Sequence, residues 1–275
     1  MISMSHGINL TIAYSTLATR ARNICLPQVS ANTEVLVCVQ GGDVSCYANL
    51  ADARIVPVPG LGVAKSRNVS MDQARGRYLL FCDDDVVVNL PGIEEAVRYL
   101  ENCGRALALG QGVGPNGFTR KSYSRAVKRL TRLNSAKAAT YEMLIDLNQV
   151  RAAGVRFDEQ FGAGAELYLG DEYVFIADLL DSGLAGDAIP VVFGTHPDES
   201  SGSRWGTAED MRARAAAINR VFGRWSFWAR LAFGLKNWSK MGGWRTMPAF
   251  LANGTRSGVV DVVPRMVEAG ARVEP

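Results

Sequence analysis

Short apolar runs alternate with helical patterns through the first half of this chain, and this alternation limits the fold more than any other sequence feature. The predicted strands are residues 8–14, 34–40, 54–58, 77–83 and 105–109. The predicted helices are residues 17–26, residues 63–76 and one that Pro91 opens at its favoured first-turn position. The rhythm predicts an α/β fold with a mostly parallel, doubly wound, Rossmann-like sheet, whose ligands bind beyond the carboxyl ends of the strands.

The second half of the sequence is less regular. Residues 121–132 are basic and amphipathic, and further predicted elements are strands at 141–147 and 188–193 and a helix at 171–182. From Arg204 onward the chain becomes helical, basic and tryptophan-rich. We therefore place a boundary near Ser203, between a domain of residues 1–203 and a helical extension of residues 204–275.

The composition fits one large domain with a modest appendage. The chain has 275 residues, of which 48% are hydrophobic and 21% charged, and its net charge of +3 is too small to imply a nucleic-acid partner. Its five cysteines form no C-x-x-C pair and are interpreted as reduced thiols. The sequence shows no signal peptide and no membrane-spanning run, so we expect a cytoplasmic protein.

Three adjacent carboxylates, Asp83, Asp84 and Asp85, follow the apolar run 78–82. Such charges repel one another at the end of a buried strand, and a divalent cation that also binds substrate phosphates relieves the repulsion. If strand geometry persists, Asp83 and Asp85 point to one side and Asp84 to the other. The alternative is a solvated acidic turn, or one aspartate that caps the next segment.

The residues before the acidic cluster form a specific pattern. Residues 60–68 contain Gly-x-x-x-x-Arg-Asn, residues 74–78 contain Ala-x-Gly-x-Tyr, and an apolar strand then leads to Asp-x-Asp. This block resembles the signature of family 2 glycosyltransferases, and the resemblance extends from about Leu10 to Gly202. It implies an A-type glycosyltransferase fold with a nucleotide-sugar half at about 1–115 and an acceptor half at about 116–203.

The resemblance also implies roles for the residues of the block. Asp83 would lie near the ribose of the donor, and Asp85, with Asp83 beside it, would bind Mn²⁺ or Mg²⁺ bridging the diphosphate. Arg67 would face the nucleotide or its phosphates, although a surface helix arginine is the alternative. Asp84 would be a bystander or a supporting group at the donor.

The ends of the first two strands depart from the family pattern. Family members carry an acidic pair after the second strand, whereas this chain has Gln40-Gly41-Gly42-Asp43. The amide of Gln40 or the carboxylate of Asp43 can hydrogen-bond a uracil edge, so the base stays open. Ala13 and Tyr14 end the first predicted strand, and Tyr14 either stacks on the base or packs internally.

A second acidic site follows the segment 157–162, Phe-Asp-Glu-Gln-Phe-Gly. The family has a similar segment followed by an acidic pair at a helix start, where one carboxylate deprotonates the acceptor hydroxyl. Glu172 is the first candidate for this base and Asp171 the second, because a carboxylate within hydrogen-bond reach can remove the proton as the new bond forms. The alternative is that both acids are only favoured by the helix dipole.

His196 follows the last predicted strand of the domain and resembles a late histidine that some family members use as a metal or diphosphate ligand. An imidazole beside an aspartate favours Mn²⁺ over Mg²⁺. The following Ser200, Ser201 and Gly202 can offer backbone amides to phosphates. A solvated turn histidine is the alternative interpretation.

The extension mixes cations with aromatic side chains between Arg204 and Arg245. Such a mixture suits the surface of an anionic membrane, at the inner face of the cell membrane for a cytoplasmic protein. Packing of the aromatic rings on the catalytic domain explains the same pattern. Nucleic acid is a weaker third option, because the chain has no recognisable binding motif, and we expect no nucleic-acid partner.

The resemblance implies a metal-dependent, inverting transfer of a sugar from a nucleotide-diphosphate sugar to a hydroxyl of a glycan or glycolipid acceptor. A sugar-nucleotide nucleotidyltransferase is one rival, but it requires a glycine-rich phosphate loop, and residues 13–18 contain no glycine. A degenerate glycosyltransferase that serves as a scaffold is the other rival. The presence of Arg67, Asp83, Asp85 and Glu172 argues against it.

Overall fold

The computed structural model describes residues 7–42, 50, 52–119, 121–197 and 205–252. Within these residues the strands are β1 (Leu10–Leu17), β2 (Thr33–Gln40), β3 (Arg54–Val58), β4 (Tyr78–Asp83), β5 (Val87–Val88), β6 (Leu107–Val113), β7 (Lys128–Arg129), β8 (Met143–Asp146) and β9 (Gly186–Thr195). The helices are α1 (Val63–Gln73), α2 (Leu90–Cys103), α3 (Leu147–Ala152), α4 (Asp171–Asp181), α5 (Ala208–Phe222), α6 (Ser226–Asn237) and α7 (Met247–Ala252).

The strands form one sheet in the order β3-β2-β1-β4-β8-β6-β9-β5, with β7 paired to β9. Strands β3, β2, β1 and β4 are mutually parallel, and β6 is parallel to β9. Strand β8 lies antiparallel between β4 and β6, so the two parallel groups point in the same direction. The predicted mostly parallel α/β sheet is confirmed, and the long parallel strands end at one common edge.

Helices cover both faces of this sheet. On one face Ile12 and Tyr14 pack with Ile93 and Leu100 of α2, whereas on the other Ala13 packs in the core that includes Phe175 of α4. Strand β2 is buried almost throughout, as its apolar composition predicts for a strand covered on both faces. Successive side chains of β1 therefore contribute alternately to two separate cores.

The predicted helix at residues 17–26 is wrong. Strand β1 continues to Leu17, which pairs in parallel register with Gln40 of β2, and only a 3₁₀ turn at Ala21–Asn23 follows. The long-range pairing overrides the local helical pattern. The predicted strand at 141–147 also begins late, because Thr140–Glu142 forms a 3₁₀ turn before β8.

The C-terminal helices include one that packs on the domain. Ala217 and Val221 of α5 contact a cluster formed by Phe161, Val174 and Ala177, beside and within α4. Helices α6 and α7 pack on the far side of α5. Ser203 lies outside the described residues, so the boundary there stays a prediction. No helix in the described part of the chain is both long and apolar enough to span a membrane.

Helix α6 and its neighbours leave an aromatic face in solvent. The face consists of the exposed side chains of Trp225, Phe227, Trp228, Leu235, Trp238 and Trp244. Exposed cations of the same region are Arg224, Lys236, Lys240 and Arg245. By contrast, the exposed arginines of α5 are already paired, Arg212 with Glu166 and Arg220 with Asp158 and Asp178. Packing on the domain accounts for the apolar and basic residues of α5, but it does not account for the exposed aromatic side chains of α6 and its neighbours.

Candidate active site

The acidic cluster lies where β4 ends, at the carboxyl edge of the sheet. Asp84 turns towards the end of β1, where it accepts a hydrogen bond from the Thr16 hydroxyl at 2.6 Å and pairs with Arg20 at 2.5 Å. Asp83 faces the other side, with Oδ1 at 3.4 Å from Nη2 of Arg67. Burial, with repulsion from neighbouring carboxylates, raises the pKa of Asp83, although Arg67 opposes the shift. Asp84 therefore anchors the turn, and Asp83 faces a cleft.

Asp85 and His196 form a pair at the same edge. Their Oδ1 and Nε2 atoms are 3.4 Å apart, and about a third of the Asp85 side chain is exposed. The imidazole is held in place because its ring stacks on Tyr141 with centroids 5.3 Å apart and its backbone N–H donates to Val113 O. The pair thus combines an accessible carboxylate with a positioned nitrogen ligand.

Arg67 joins the two acidic segments that the sequence singles out. It projects from α1, is only 3% exposed, and its Nη1 contacts Asp171 and lies 3.4 Å from Oε1 of Glu172, while Nη2 faces Asp83. Its buried Nε has no hydrogen-bond partner among the described residues. One guanidinium therefore serves three carboxylates, which rules out the interpretation of Arg67 as a surface residue.

Asp171 and Glu172 open α4, and their carboxyl groups behave differently. Burial, together with repulsion from Glu172, raises the pKa of Asp171. Burial has the same tendency at Glu172, but Arg67 and a 2.5 Å hydrogen bond from the Thr140 hydroxyl outweigh it and lower the pKa of Glu172. At neutral pH Glu172 is thus the carboxylate that is held ionised, as a general base must be.

Gly162 and Gly170 shape the approach to this acidic pair. Both have positive φ, and a Cβ on Gly162 would lie 2.8 Å from the Asp171 carboxyl carbon. Neither position accepts a larger residue without displacing its neighbours. The glycine of the Phe-Asp-Glu-Gln-Phe-Gly segment is therefore required by the close approach of its backbone to Asp171.

Asn68, next to Arg67, fastens the segment that carries the second acidic site. Its amide donates to Phe157 O at 3.0 Å and accepts from Phe157 N at 2.9 Å, and both bonds are buried. The Phe157 ring then lies 5.5 Å from the Arg67 guanidinium and stacks on Phe175 of α4 with centroids 4.2 Å apart. The Arg-Asn dipeptide thereby joins the donor-side and acceptor-side segments.

The end of β2 presents a buried amide. Gln40 is 5% exposed, and its Oε1 has no hydrogen-bond partner within the described part of the chain. A buried acceptor of this kind is costly unless a water molecule or a ligand supplies a donor. The other candidate for the base, Asp43, lies outside the described residues, as do Ser200, Ser201 and Gly202.

Two predicted donor contacts are corrected by the structure. The Tyr14 side chain is fully buried in the sheet core, so it packs internally and cannot stack on a base. The Ala13 side chain points into the opposite core and is equally inaccessible. Strand β1 runs three residues beyond Tyr14, which places both residues inside the sheet and not at its edge.

The side chains at this edge provide two candidate ligands for the predicted metal ion, Asp85 and His196. In the described ranges no three His, Cys, Asp or Glu side chains converge on one point that could hold an ion. Asp85 and His196 nevertheless fit an ion that takes its remaining ligands from a diphosphate and water, as Mg²⁺ and Mn²⁺ commonly do. The charges of Asp85 and His196 both act on the pKa of Asp83, so Asp83 lies close to this pair.

Four contributors to the site were missed in the sequence: Thr16, Arg20, Thr140 and Tyr141. Each reaches a candidate residue that is far away in sequence; the Thr140–Glu172 pair, for example, is separated by 32 positions. No local motif marks them, so only the fold could reveal them. Asn68 differs, because it belongs to the Arg-Asn motif and its role could have been inferred from that motif.

Comparisons with known proteins concern the family and the fold. The family model for glycosyl transferase family 2 matches residues 44–156. TarS from S. aureus, in complex with UDP-GlcNAc, is 14% identical with a TM-score of 0.59, covering 89% of this chain and 79% of that chain. Glucosyl-3-phosphoglycerate synthase from Mycobacterium tuberculosis, in complex with Mn²⁺, UDP and its product, is 17% identical with a TM-score of 0.54, covering 78% and 80%. A comparison with curated proteins gives no match.

At these identities the likeness to solved structures establishes the fold, which is that of A-type glycosyltransferases. The family match covers the segment that carries Arg67 and the acidic cluster. The match therefore supports the resemblance to family 2 over residues 44–156.

Proposed function

We propose that this chain transfers a sugar from a uridine-diphosphate sugar to a hydroxyl of a polysaccharide or glycolipid acceptor, with inversion at the anomeric carbon. The observation that carries the proposal is the buried Arg67, which contacts or faces Asp83 on the donor side and Asp171 and Glu172 on the acceptor side. Donor and acceptor groups must meet within a few ångströms for direct displacement, and this guanidinium holds both sets of groups together.

The uracil assignment rests on Gln40. Its Oε1 is buried and unpartnered, and after the side chain rotates towards the sheet edge that also holds Asp83 it can accept a hydrogen bond from the N3–H of uracil. Two A-type glycosyltransferase structures of similar fold contain UDP-GlcNAc or UDP, which supports the same base here. A guanine edge places its donors differently, so GDP is expected to bind more weakly.

The donor diphosphate is expected to bind with a divalent ion held by Asp85 and His196, with Asp83 directed towards the ribose or the same ion. A bound metal supplies stabilisation of the negative charge on the leaving diphosphate. The protein contributes a fixed imidazole, since the stack on Tyr141 orients His196 towards Asp85. The mycobacterial enzyme of similar fold was solved with Mn²⁺, which supports manganese as the ion to test first.

Glu172 is the proposed general base, and Asp171 its partner on Arg67. The contact with Thr140 directs one oxygen of Glu172, and its side chain is about one-fifth exposed, so a hydroxyl can approach it. Asp171 is nearly inaccessible because Gly162 and Arg67 close over it. One accessible base and a leaving group on the other face of the sugar are sufficient for inversion.

The aromatic face of α6 is proposed to bind an anionic membrane surface. Trp225 and Trp228 are each about 60% exposed, and exposed cations flank them, a combination that places rings at headgroup depth and charges beside anionic lipid. A cytoplasmic enzyme could in this way reach a lipid-linked acceptor at the inner face of the membrane. The contact would be peripheral and reversible.

A thermal-shift screen tests the donor assignment directly. UDP-, GDP- and dTDP-sugars are added to the full chain with and without Mn²⁺. We expect the largest rise in melting temperature with UDP-sugars, and only when Mn²⁺ is present, because binding to the native state alone stabilises it. Stabilisation by GDP-sugars, or by UDP-sugars equally well in the presence of a chelator, would contradict the proposal.

A further inference from the structure

The segment between Glu101 and Glu142 carries positive charge that the proposed transfer reaction does not use. It contains no acidic residue, and its cations are Arg105, Arg120, Lys121, Arg125, Lys128, Arg129, Arg132 and Lys137. Three of the described ones pair with acids elsewhere, namely Arg105 and Arg129 with Asp187 and Arg132 with Asp181. The remaining described cations are Lys121, Arg125, Lys128 and Lys137.

Several of them face a cavity of about 320 Å³ beside the sheet. Its floor is formed by residues 109–111 of β6 and by Ala188 and Ile189 of β9, and its walls by residues of the basic segment, including Lys121, Lys128 and Lys137. This volume is at the lower end of the range for small-molecule sites, so it has room for one small anionic group with part of its carrier.

The charges in the cavity do not cancel. Glu142 is the acid of the lining, and it is occupied by Lys121 Nζ at 2.6 Å and by the Tyr123 hydroxyl at 2.6 Å. Lys128 and Lys137 line the same cavity and have no carboxylate within ion-pair distance among the described residues. Two ammonium groups are therefore available to an anion, and Lys121 is fixed beside them.

The cavity is joined to the proposed transfer site through one turn of chain. In the 3₁₀ turn Thr140–Glu142, Thr140 donates to Glu172 and Glu142 forms part of the cavity wall. The two ends of this three-residue turn thus contact the two sites, Thr140 at Glu172 and Glu142 at the cavity. The turn is buried at all three positions, so the two sites are held at a constant separation.

We propose that this cavity binds a phosphate or carboxylate group of the acceptor. The anion-binding property stands on the lysines alone, whereas its assignment to the acceptor rests on the proposed function. The chain would accordingly prefer acceptors that carry a negative charge near the reacting hydroxyl. Lys128 and Lys137 would determine this preference without contacting the donor.

An NMR titration of the full chain with sodium phosphate, at constant ionic strength, tests the anion site. We expect saturable shifts of the backbone amides at 109–111 and 121–124 in the wild type. The double substitution Lys128→Gln/Lys137→Gln is expected to weaken phosphate binding about fivefold or more, since each exposed charge contact contributes up to about a factor of five. Both lysines are exposed, so the variant should fold normally.

The matched control is Arg125→Gln/Lys236→Gln, which removes two exposed cations outside the cavity lining. Equal weakening in this control, or phosphate shifts confined to other regions, would overturn the anion site. Glucose 6-phosphate should compete with phosphate while glucose does not; exclusion of the phosphate ester would overturn the acceptor assignment. None of these measurements needs the sugar donor. A failure of UDP binding would therefore contradict the proposed function, and the phosphate titration would still decide whether the cavity binds an anion.

Discussion

Substitution of Asn68 by alanine should destabilise the protein more than its small volume change suggests. The Asn68 amide makes two buried hydrogen bonds with the backbone of Phe157, one to its N–H and one to its carbonyl oxygen. Alanine leaves both groups unpaired in a buried environment, at a cost of about 1–3 kcal/mol each. We therefore expect the free energy of unfolding to fall by about 3 kcal/mol.

Urea denaturation, followed by circular dichroism, measures this change. Asn89→Ala is the matched control, because the Asn89 side chain makes one partly buried bond to Val192 O and its loss should cost about 1 kcal/mol. The Asn68 variant should also bind UDP and Mn²⁺ more weakly, since Phe157 lies against Arg67. A loss of stability no larger than that of the control would refute the idea that Asn68 fastens the acceptor-side segment to α1.

Three further outcomes are expected. Glu172→Gln should keep donor affinity but lose transfer by roughly 10²-fold or more; if Asp171→Asn is the crippled variant instead, the base assignment is wrong. Thr140→Val removes a bond that lowers the pKa of Glu172, so the acidic limb of the rate profile should move to higher pH, and an unmoved limb would exclude this role. The full chain should co-sediment with anionic liposomes at low salt, and Trp225→Ser/Trp228→Ser should abolish this; equal sedimentation of that variant would exclude the aromatic face.

The elements that could be predicted from the sequence are those whose side chains pack locally in a repeating pattern. Strand β3 has the predicted limits, and α1, α2 and α4 begin at or next to the predicted residues. The helix at residues 17–26 fails because the end of β1 is determined by its parallel pairing with β2, a contact that no local pattern records. The antiparallel position of β8 was not foreseen for the same reason.

The sequence singles out the charged residues of the candidate site, but it does not reveal the residues that hold them in place. Arg67, Asp83 and Glu172 each stand in a recognisable motif, and the structure brings them together, while their roles stay predictions. The contact of Thr140 with Glu172 joins distant segments, so it has no signature in the sequence. The burial of Tyr14 could not be foreseen either, since it depends on how far β1 continues.

Isothermal titration of UDP in the presence of Mn²⁺ tests the central claim, that Asp85 at the end of β4 holds the metal for the donor diphosphate. Wild-type protein should bind UDP only with the metal, and Asp85→Ala should lose that binding. The control is Asp72→Asn, which removes an exposed carboxylate that pairs with Arg156 and not with the cluster; it should bind UDP almost as the wild type does. Wild-type affinity in the Asp85 variant would contradict the account.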